Sequence, residues 1–192
     1  MIDFFALFAQ PRQPWLEADV LKQKHHELTR RAHPDLHGSA SSEKFGEINE
    51  AYRILSDPKQ RLEHLMALEK APIPPRDQTL AGDLQEYFLR IATLRQQVQR
   101  LFAEMGEISS AIKLSLVKNE LLQLQKQTHQ LLEELNHSYD SCISQLRELN
   151  EVWKQSRTEA MPSLHAMRDR MSYLSRWLDQ LKETELQLKL RN

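Results

Sequence analysis

The chain has 192 residues, 40% hydrophobic and 28% charged, which is enough for one domain or two small ones with a real core. Only four residues are glycine, well below the roughly 7% of average usage, and tight hairpin turns usually need glycine, so a mainly β fold is disfavoured. Twenty-six Lys plus Arg against 27 Asp plus Glu give a formal charge of -1 with no long single-sign run, which argues against a nucleic-acid or membrane partner.

The opening Met1-Ile2-Asp3-Phe4-Phe5-Ala6-Leu7-Phe8 is apolar but lacks a basic leader, is too short to span a bilayer and is not Arg/Ser-rich, so a soluble, cytoplasmic protein is expected. Asp3 is placed to cap a short first helix, which Pro11 and Pro14 then stop. From about Glu17 to Ala32 the positions Val20, Leu21, Leu28 and Ala32, with His25 between them, follow helical spacing, and Pro34 ends the run just after His33. The polar stretch from His37 to Ser42 offers serine caps for a helix with Phe45, Ile48, Ala51, Tyr52 and Leu55 on one stripe, so an antiparallel helix pair is expected. After Asp57, Pro58 opens a fourth short helix carrying Leu62, Leu65, Met66 and Leu68.

Pro72, Pro74, Pro75 and Gly82 then mark a stiff linker over 71–82, dividing a unit at 1–70 from a helical unit at 83–192. The first helix beyond the linker, with Asp83 as its cap, carries Leu84, Phe88, Ile91, Val98, Leu101, Phe102 and Met105. A longer pattern follows in which Leu114, Val117, Leu121, Leu124, Thr128, Leu131, Leu135, Ser138 and Cys142 alternate three and four apart, as in a coiled coil. One continuous helix over about 108–158 would be about 75 Å long, so it either projects or bends near Asn136-His137-Ser138. The last helix starts near Thr158 or Met161-Pro162 and carries Leu164, Met167, Met171, Leu174, Leu178 and Leu181. The fold class read from this pattern is all-α: four N-terminal helices followed by an elongated antiparallel three-helix bundle.

The tripeptide His33-Pro34-Asp35 lies between the two antiparallel helices, followed by Phe45-x-x-Ile48-Asn49-x-Ala51-Tyr52-x-x-Leu55 and Asp57-Pro58-x-x-Arg61, and in this the chain resembles the J domain of DnaJ-type co-chaperones. Proline bars helix continuation, so the imidazole and carboxylate are presented at a rigid corner as directional hydrogen-bonding groups. Lys22, His26 and Arg30 recur every four residues along one side of the preceding helix, with Lys24 and Arg31 nearby, and that side suits an acidic partner surface. The resemblance implies that His33, Pro34 and Asp35, with Lys22, His26, Arg30 and Arg31, contact a DnaK- or HscA-type chaperone and stimulate its ATP hydrolysis. It also implies that the chain itself is no enzyme and needs no cofactor.

The aromatic-rich opening Phe4-Phe5-Ala6-Leu7-Phe8, the segment Pro58-Lys59-Gln60-Arg61-Leu62-Glu63-His64-Leu65 and the three-helix unit that follows are similar to the HscB (Jac) branch of J proteins. That branch serves iron-sulfur cluster assembly by delivering a scaffold protein to a dedicated chaperone. By position, the resemblance implies that Phe88, Leu89, Ala92 and Tyr173 contact the scaffold, while the same helical spacing also suits core filling. Thr93, Gln96 and Arg100 stand where the family tends to have acidic residues. The alternative is a J protein with a different client, whose helical unit acts as an adaptor or a self-associating coiled coil; a purely structural coiled coil is a third reading.

Other clusters carry less. The single cysteine, Cys142, excludes a disulfide framework within the chain, fits a reducing compartment and reads as core. His129, Glu133 and His137 share a helix face but read as solvated side chains, so no metal site is expected. No nucleophile triad or phosphate-cradling glycine loop is visible.

Overall fold

A computed structural model describes residues 1–32, 39–70, 82–105 and 111–191, with the side chains at 39–42 and 111–114 left aside. Among the described residues there are seven α-helices and no strand: α1 (Phe4–Leu7), α2 (Ala18–Arg31), α3 (Ser39–Ser56), α4 (Pro58–Leu68), α5 (Gly82–Met105), α6 (Ala111–Gln155) and α7 (Arg157–Lys189). The all-α class expected from the glycine shortage and the apolar periods is the observed one.

Compaction groups these helices into two units, Met1–Pro74 with Cys142–Asp169, and Pro75–Ser141 with Arg170–Asn192. In the first unit, local chemistry starts and stops the helices as the sequence suggests. The Asp3 carboxylate accepts the Ala6 N–H at 3.1 Å, and Asp57 accepts that of Gln60 at 2.8 Å with Pro58 in the first turn. At the end of α1 the Gln10 N–H bonds the Phe5 carbonyl and the Ala9 N–H that of Ala6, with Ala9 left-handed at φ 51°, so the chain turns without a glycine.

The core of this unit joins α1–α4 through Phe5, Phe8, Leu21, Ile48, Ala51, Leu55, Leu62 and Leu65, all essentially without solvent exposure. Val20 departs from the expected stripe: it is 45% exposed, and α2 buries Leu21 with Ala32 just past its end. Aromatic and imidazole rings tie the elements laterally. The His25 ring stacks on Tyr52 at 4.2 Å and its Nε2 lies 2.9 Å from Asn49 Oδ1, clamping α2 to α3.

His64 stacks on Phe4 at 4.6 Å, and its Nε2 accepts the Phe4 N–H at 3.2 Å, so the neutral ring is the form this site holds. Burial pushes the His64 imidazole below its ordinary value, with Arg12 adding to and Asp3 opposing the shift. Burial, helped by Arg168, does the same to His165 in α7. Both groups therefore bind protons more readily when unfolded, and stability falls as pH drops below the ordinary imidazole value of 6.5. Chemical denaturation at pH about 7.5 and about 5.5 is expected to show a lower midpoint at the acidic pH, with most of the difference removed in a His64→Gln/His165→Gln variant. An unchanged difference in the variant would assign it elsewhere.

The segment between α1 and α2 packs on the ends of α6 and α7 that belong to the same unit. The Trp15 N–H donates to Asn150 Oδ1 at 3.1 Å, and the Trp153 indole N–H donates to the Arg12 carbonyl at 2.9 Å. Arg157 reaches Glu69 at 2.7 Å and lies 5.4 Å above the Trp153 ring.

In the second unit, α6 and α7 run antiparallel, as fixed by the Gln125 amide donating to the Leu188 carbonyl and by His129 facing Glu185. The salt bridge of Arg170 with Asp83 and the Arg191 guanidinium over Phe102 set α5 beside α7 in the same direction. Leu84, Ile91, Leu94, Val98 and Leu101 of α5 are buried, as are Val117, Leu121, Leu124, Leu131 and Leu135 of α6. The α6 helix is unbroken through Asn136, His137 and Ser138. Its 45 residues correspond to about 68 Å at 1.5 Å per residue. Pro162 lies within α7, whose start at Arg157 is capped by Ser156 Oγ accepting from the Glu159 N–H at 3.3 Å.

Candidate functional site

His33, Pro34 and Asp35 lie outside the described residues, and so does the rest of the segment to Gly38. The helix that leads into them is described in full. α2 buries Leu21 and turns Lys22, His26 and Arg30 outward, because residues four apart stay within about 40° of one another on a helix. Among the described residues none of these three side chains is in an ion pair. Arg31 and Lys24 differ, since both are engaged by Glu27, at 2.8 and 2.9 Å. Their pairing, led by the Lys24 hydrogen bond, holds the Glu27 carboxyl below its ordinary range. Arg30 and Arg31 also occupy the last turn of α2, where cations complement the carbonyl end of the helix dipole.

The orientation of this basic face depends on residues that take no part in it. His25 and Tyr52 hold α2 against α3. Arg61, only 3% exposed, donates from Nε to the Pro14 carbonyl at 2.8 Å and from Nη1 to the Leu55 carbonyl at 2.6 Å. The sequence placed Arg61 in a motif without its structural role; the available signal was a cation standing beside the buried run Leu62, Leu65 and Met66.

The second group of sequence-selected residues lies in the second unit. Phe88 is 51% exposed, Leu89 63% and Tyr173 38%, and Ala92 is exposed as well. The expectation that Phe88 shares the α5 core stripe is therefore corrected: Ile91, Leu94 and Val98 face the bundle and leave Phe88 and Leu89 in water. Pairing of Asp83 with Arg170 and of Phe102 with Arg191 aligns Tyr173 with the start of α5, so these apolar groups lie along one stretch of the α5–α7 pair. Trp177 extends the patch inward, 5% exposed with its ring 5.7 Å from that of Tyr173. Exposed aromatic and aliphatic groups gathered on one stretch are chemistry suited to anchoring a protein partner.

The remaining candidates have structural surroundings. His129 Nδ1 lies 3.1 Å from Glu185 and Nε2 3.6 Å from Glu133, while His137 is exposed. Among the described residues no group of three or more His, Cys, Asp or Glu side chains is arranged to hold a metal. The Cys142 thiol is buried. No helix among the described residues is long and apolar enough to cross a membrane.

Comparison with known proteins places the chain among its relatives. Residues 13–64 match the DnaJ domain family. Over 137 residues the chain is 30% identical to a co-chaperone protein HscB homolog of Vibrio atlanticus (strain LGP32), covering 62% of this chain and 80% of that protein. Over 118 residues it is 29% identical to the corresponding homolog of Vibrio parahaemolyticus, covering 58% and 67%. Among solved structures it is similar to chaperone HscB from Vibrio cholerae, with a TM-score of 0.55, 18% identity, and 97% of this chain and 99% of that one covered. Human co-chaperone protein HscB matches with a TM-score of 0.54 at 17% identity, covering 96% and 83%.

Proposed function

The chain belongs to the HscB co-chaperone family, and from that premise we propose that it stimulates ATP hydrolysis by a DnaK- or HscA-type chaperone while presenting an iron-sulfur cluster scaffold protein as client. In this reading residues 1–70 form the chaperone-activating J domain, 71–82 link it onward, and 83–192 carry the client surface. His33, Pro34 and Asp35 make the stimulating contact, Lys22, His26 and Arg30 steer an acidic chaperone surface onto it, and Arg31, paired with Glu27, borders the same surface. Phe88, Leu89, Ala92 and Tyr173 receive the scaffold. The chain contributes no reacting group of its own, works without a cofactor and acts in the cytoplasm.

The observation that carries the reading is the outward face of Lys22, His26 and Arg30, with no ion pair to any described residue, on the helix that leads directly into His33-Pro34-Asp35. Cations already paired within the fold would gain little from an incoming carboxylate, whereas unpaired ones raise both encounter rate and orientation. The test is single-turnover ATP hydrolysis by each DnaK-type chaperone of the host, with the wild-type protein and with His33→Gln. The wild type is expected to accelerate hydrolysis by one specialised chaperone and the variant to return it to the basal rate. Equal stimulation by the variant would remove the tripeptide from the mechanism.

A further inference from the structure

We propose that the partner on Phe88, Leu89, Ala92 and Tyr173 meets this chain with an apolar centre rimmed by carboxylates, which Arg95 and Arg176 receive; the inference rests on reading that patch as the client surface. From Tyr87 to Ala103, α5 carries three arginines and no Asp or Glu. Two of the three are neutralised from α6: Arg90 by Glu134, at 2.6 and 2.8 Å, and Arg100 by Glu120 at 3.5 Å. Arg95 is exposed and, among the described residues, has no ion pair. On α7 the same division recurs, with Arg170 engaged by Asp83 and Ser138, and Arg176 exposed without an ion pair among the described residues.

The helix register brings these two cations to the rim of the patch. Asp83–Arg170 and Phe102–Arg191 align residue 173 of α7 with about residue 86 of α5, which places Tyr173 and Arg176 beside Phe88 and Leu89. Arg95 follows Phe88 by seven residues, or about two turns, and so stays on the same side of α5. It opens onto a groove of about 210 Å³ lined also by Gln99, Gln180, Glu183, Thr184 and Gln187. The groove continues the apolar patch with amide and hydroxyl groups that bond carboxylates and backbone alike.

Of the nearby carboxylates, those at the start of α5 are paired with arginine, while Glu183 lines the same groove as Arg95. Asp83 is bonded to Arg170, whose guanidinium holds the Asp83 carboxyl below its ordinary range, and Glu86 lies 3.8 Å from Arg90. Glu183 accepts from the Gln187 amide at 3.3 Å. Asp179 is three residues from Arg176, about 60° round the helix from it and about 120° from Tyr173, so it flanks the cation on the side away from the apolar patch. A partner with basic groups around its apolar anchor would meet two unpaired arginines, and one with carboxylates would pair them.

The test is isothermal titration of the full-length protein against the iron-sulfur scaffold protein of the same host, at about 50 and about 500 mM salt, where screening differs several-fold. Arg95→Glu/Arg176→Glu, Arg95→Lys/Arg176→Lys and Phe88→Ser are compared, with circular dichroism showing that each remains helical. Wild-type affinity is expected to weaken with salt, the glutamate pair to bind at least about tenfold more weakly at low salt, and the lysine pair to stay within about threefold of wild type. Phe88→Ser is expected to lose binding at both salt concentrations. If the glutamate pair binds as wild type while Phe88→Ser fails, the acidic partner is overturned and the client patch stands. If the wild type does not bind the scaffold, or no variant changes its binding, the client reading falls and the inference with it.

Discussion

Replacing Arg61 by alanine is expected to lower the stability of the first unit by about 3 kcal/mol, because each hydrogen bond from a charged donor contributes roughly 1.5–3 kcal/mol and a buried acceptor left alone adds its own penalty. The guanidinium bonds the carbonyls of Pro14 and Leu55, which belong to different parts of the chain. Leu55 lies in the last turn of α3, where the carbonyls have no partner within the helix, so Arg61 acts there as a side-chain cap as well as a cross-link. Lysine presents a single ammonium and cannot span both acceptors in the fork geometry, so Arg61→Lys is expected to recover only part of the loss. Urea denaturation of the full-length variants checks this. A loss below about 1 kcal/mol for Arg61→Ala would show that water replaces the guanidinium at little cost.

A second large effect is expected at Trp153, where alanine should cost about 3–5 kcal/mol through lost burial and the cavity left behind. Its ring is 3% exposed, its indole N–H holds the Arg12 carbonyl, and Arg157 lies over its face. The loss should reach the N-terminal segment selectively, because Arg12 also bonds Asp3 at 2.7 Å and Trp15 is held by Asn150 next to the same site. Partial burial pulls the Asp3 carboxyl up, but the Arg12 guanidinium and the Ala6 N–H outweigh it and hold the carboxyl below its ordinary range. Hydrogen exchange in residues 3–17 is expected to accelerate in Trp153→Ala more than exchange in α5. Trp153→Phe keeps most of the volume and loses one hydrogen bond, so it should cost about 1 kcal/mol. Uniform acceleration over both units in Trp153→Ala would mean that the residue supports the whole chain rather than this segment.

The features legible in the amino-acid order are those decided over a few residues. Asp3 and Asp57 could be recognised as caps because an N-cap needs only its own carboxylate and the next three N–H groups. The ends of α2 and α4 followed from Pro34 and the proline-rich stretch after Lys70 for the same local reason. His33-Pro34-Asp35 was recognisable as a motif, with the basic positions Lys22, His26 and Arg30 placed correctly on an outward face of α2.

Errors arose where side chains of equal hydrophobicity had different neighbours. Val20 and Leu21 are adjacent and similarly apolar, but only Leu21 faces the packed side of α2. Phe88 fits the heptad-like spacing of α5 as well as Ile91 does, yet the bundle covers one side of the helix and leaves Phe88 outside it. Periodicity gives the direction of an apolar stripe to within a residue or so, and the width that is buried depends on the helices packed against it.

Residue order therefore specified an all-α chain, the caps Asp3 and Asp57 and the J-type motif, since propensity, capping and proline geometry act within about one helical turn, whereas Asp83, expected as a cap, lies inside α5 and pairs with Arg170. The three-dimensional arrangement added what distant segments do to one another. It drew Arg61 to Pro14 and Leu55, Asn150 and Trp153 to residues 12–15, and left Phe88, Leu89 and Tyr173 exposed. These contacts depend on burial and on carbonyls that lack helical partners, two conditions created only when elements far apart in sequence pack together.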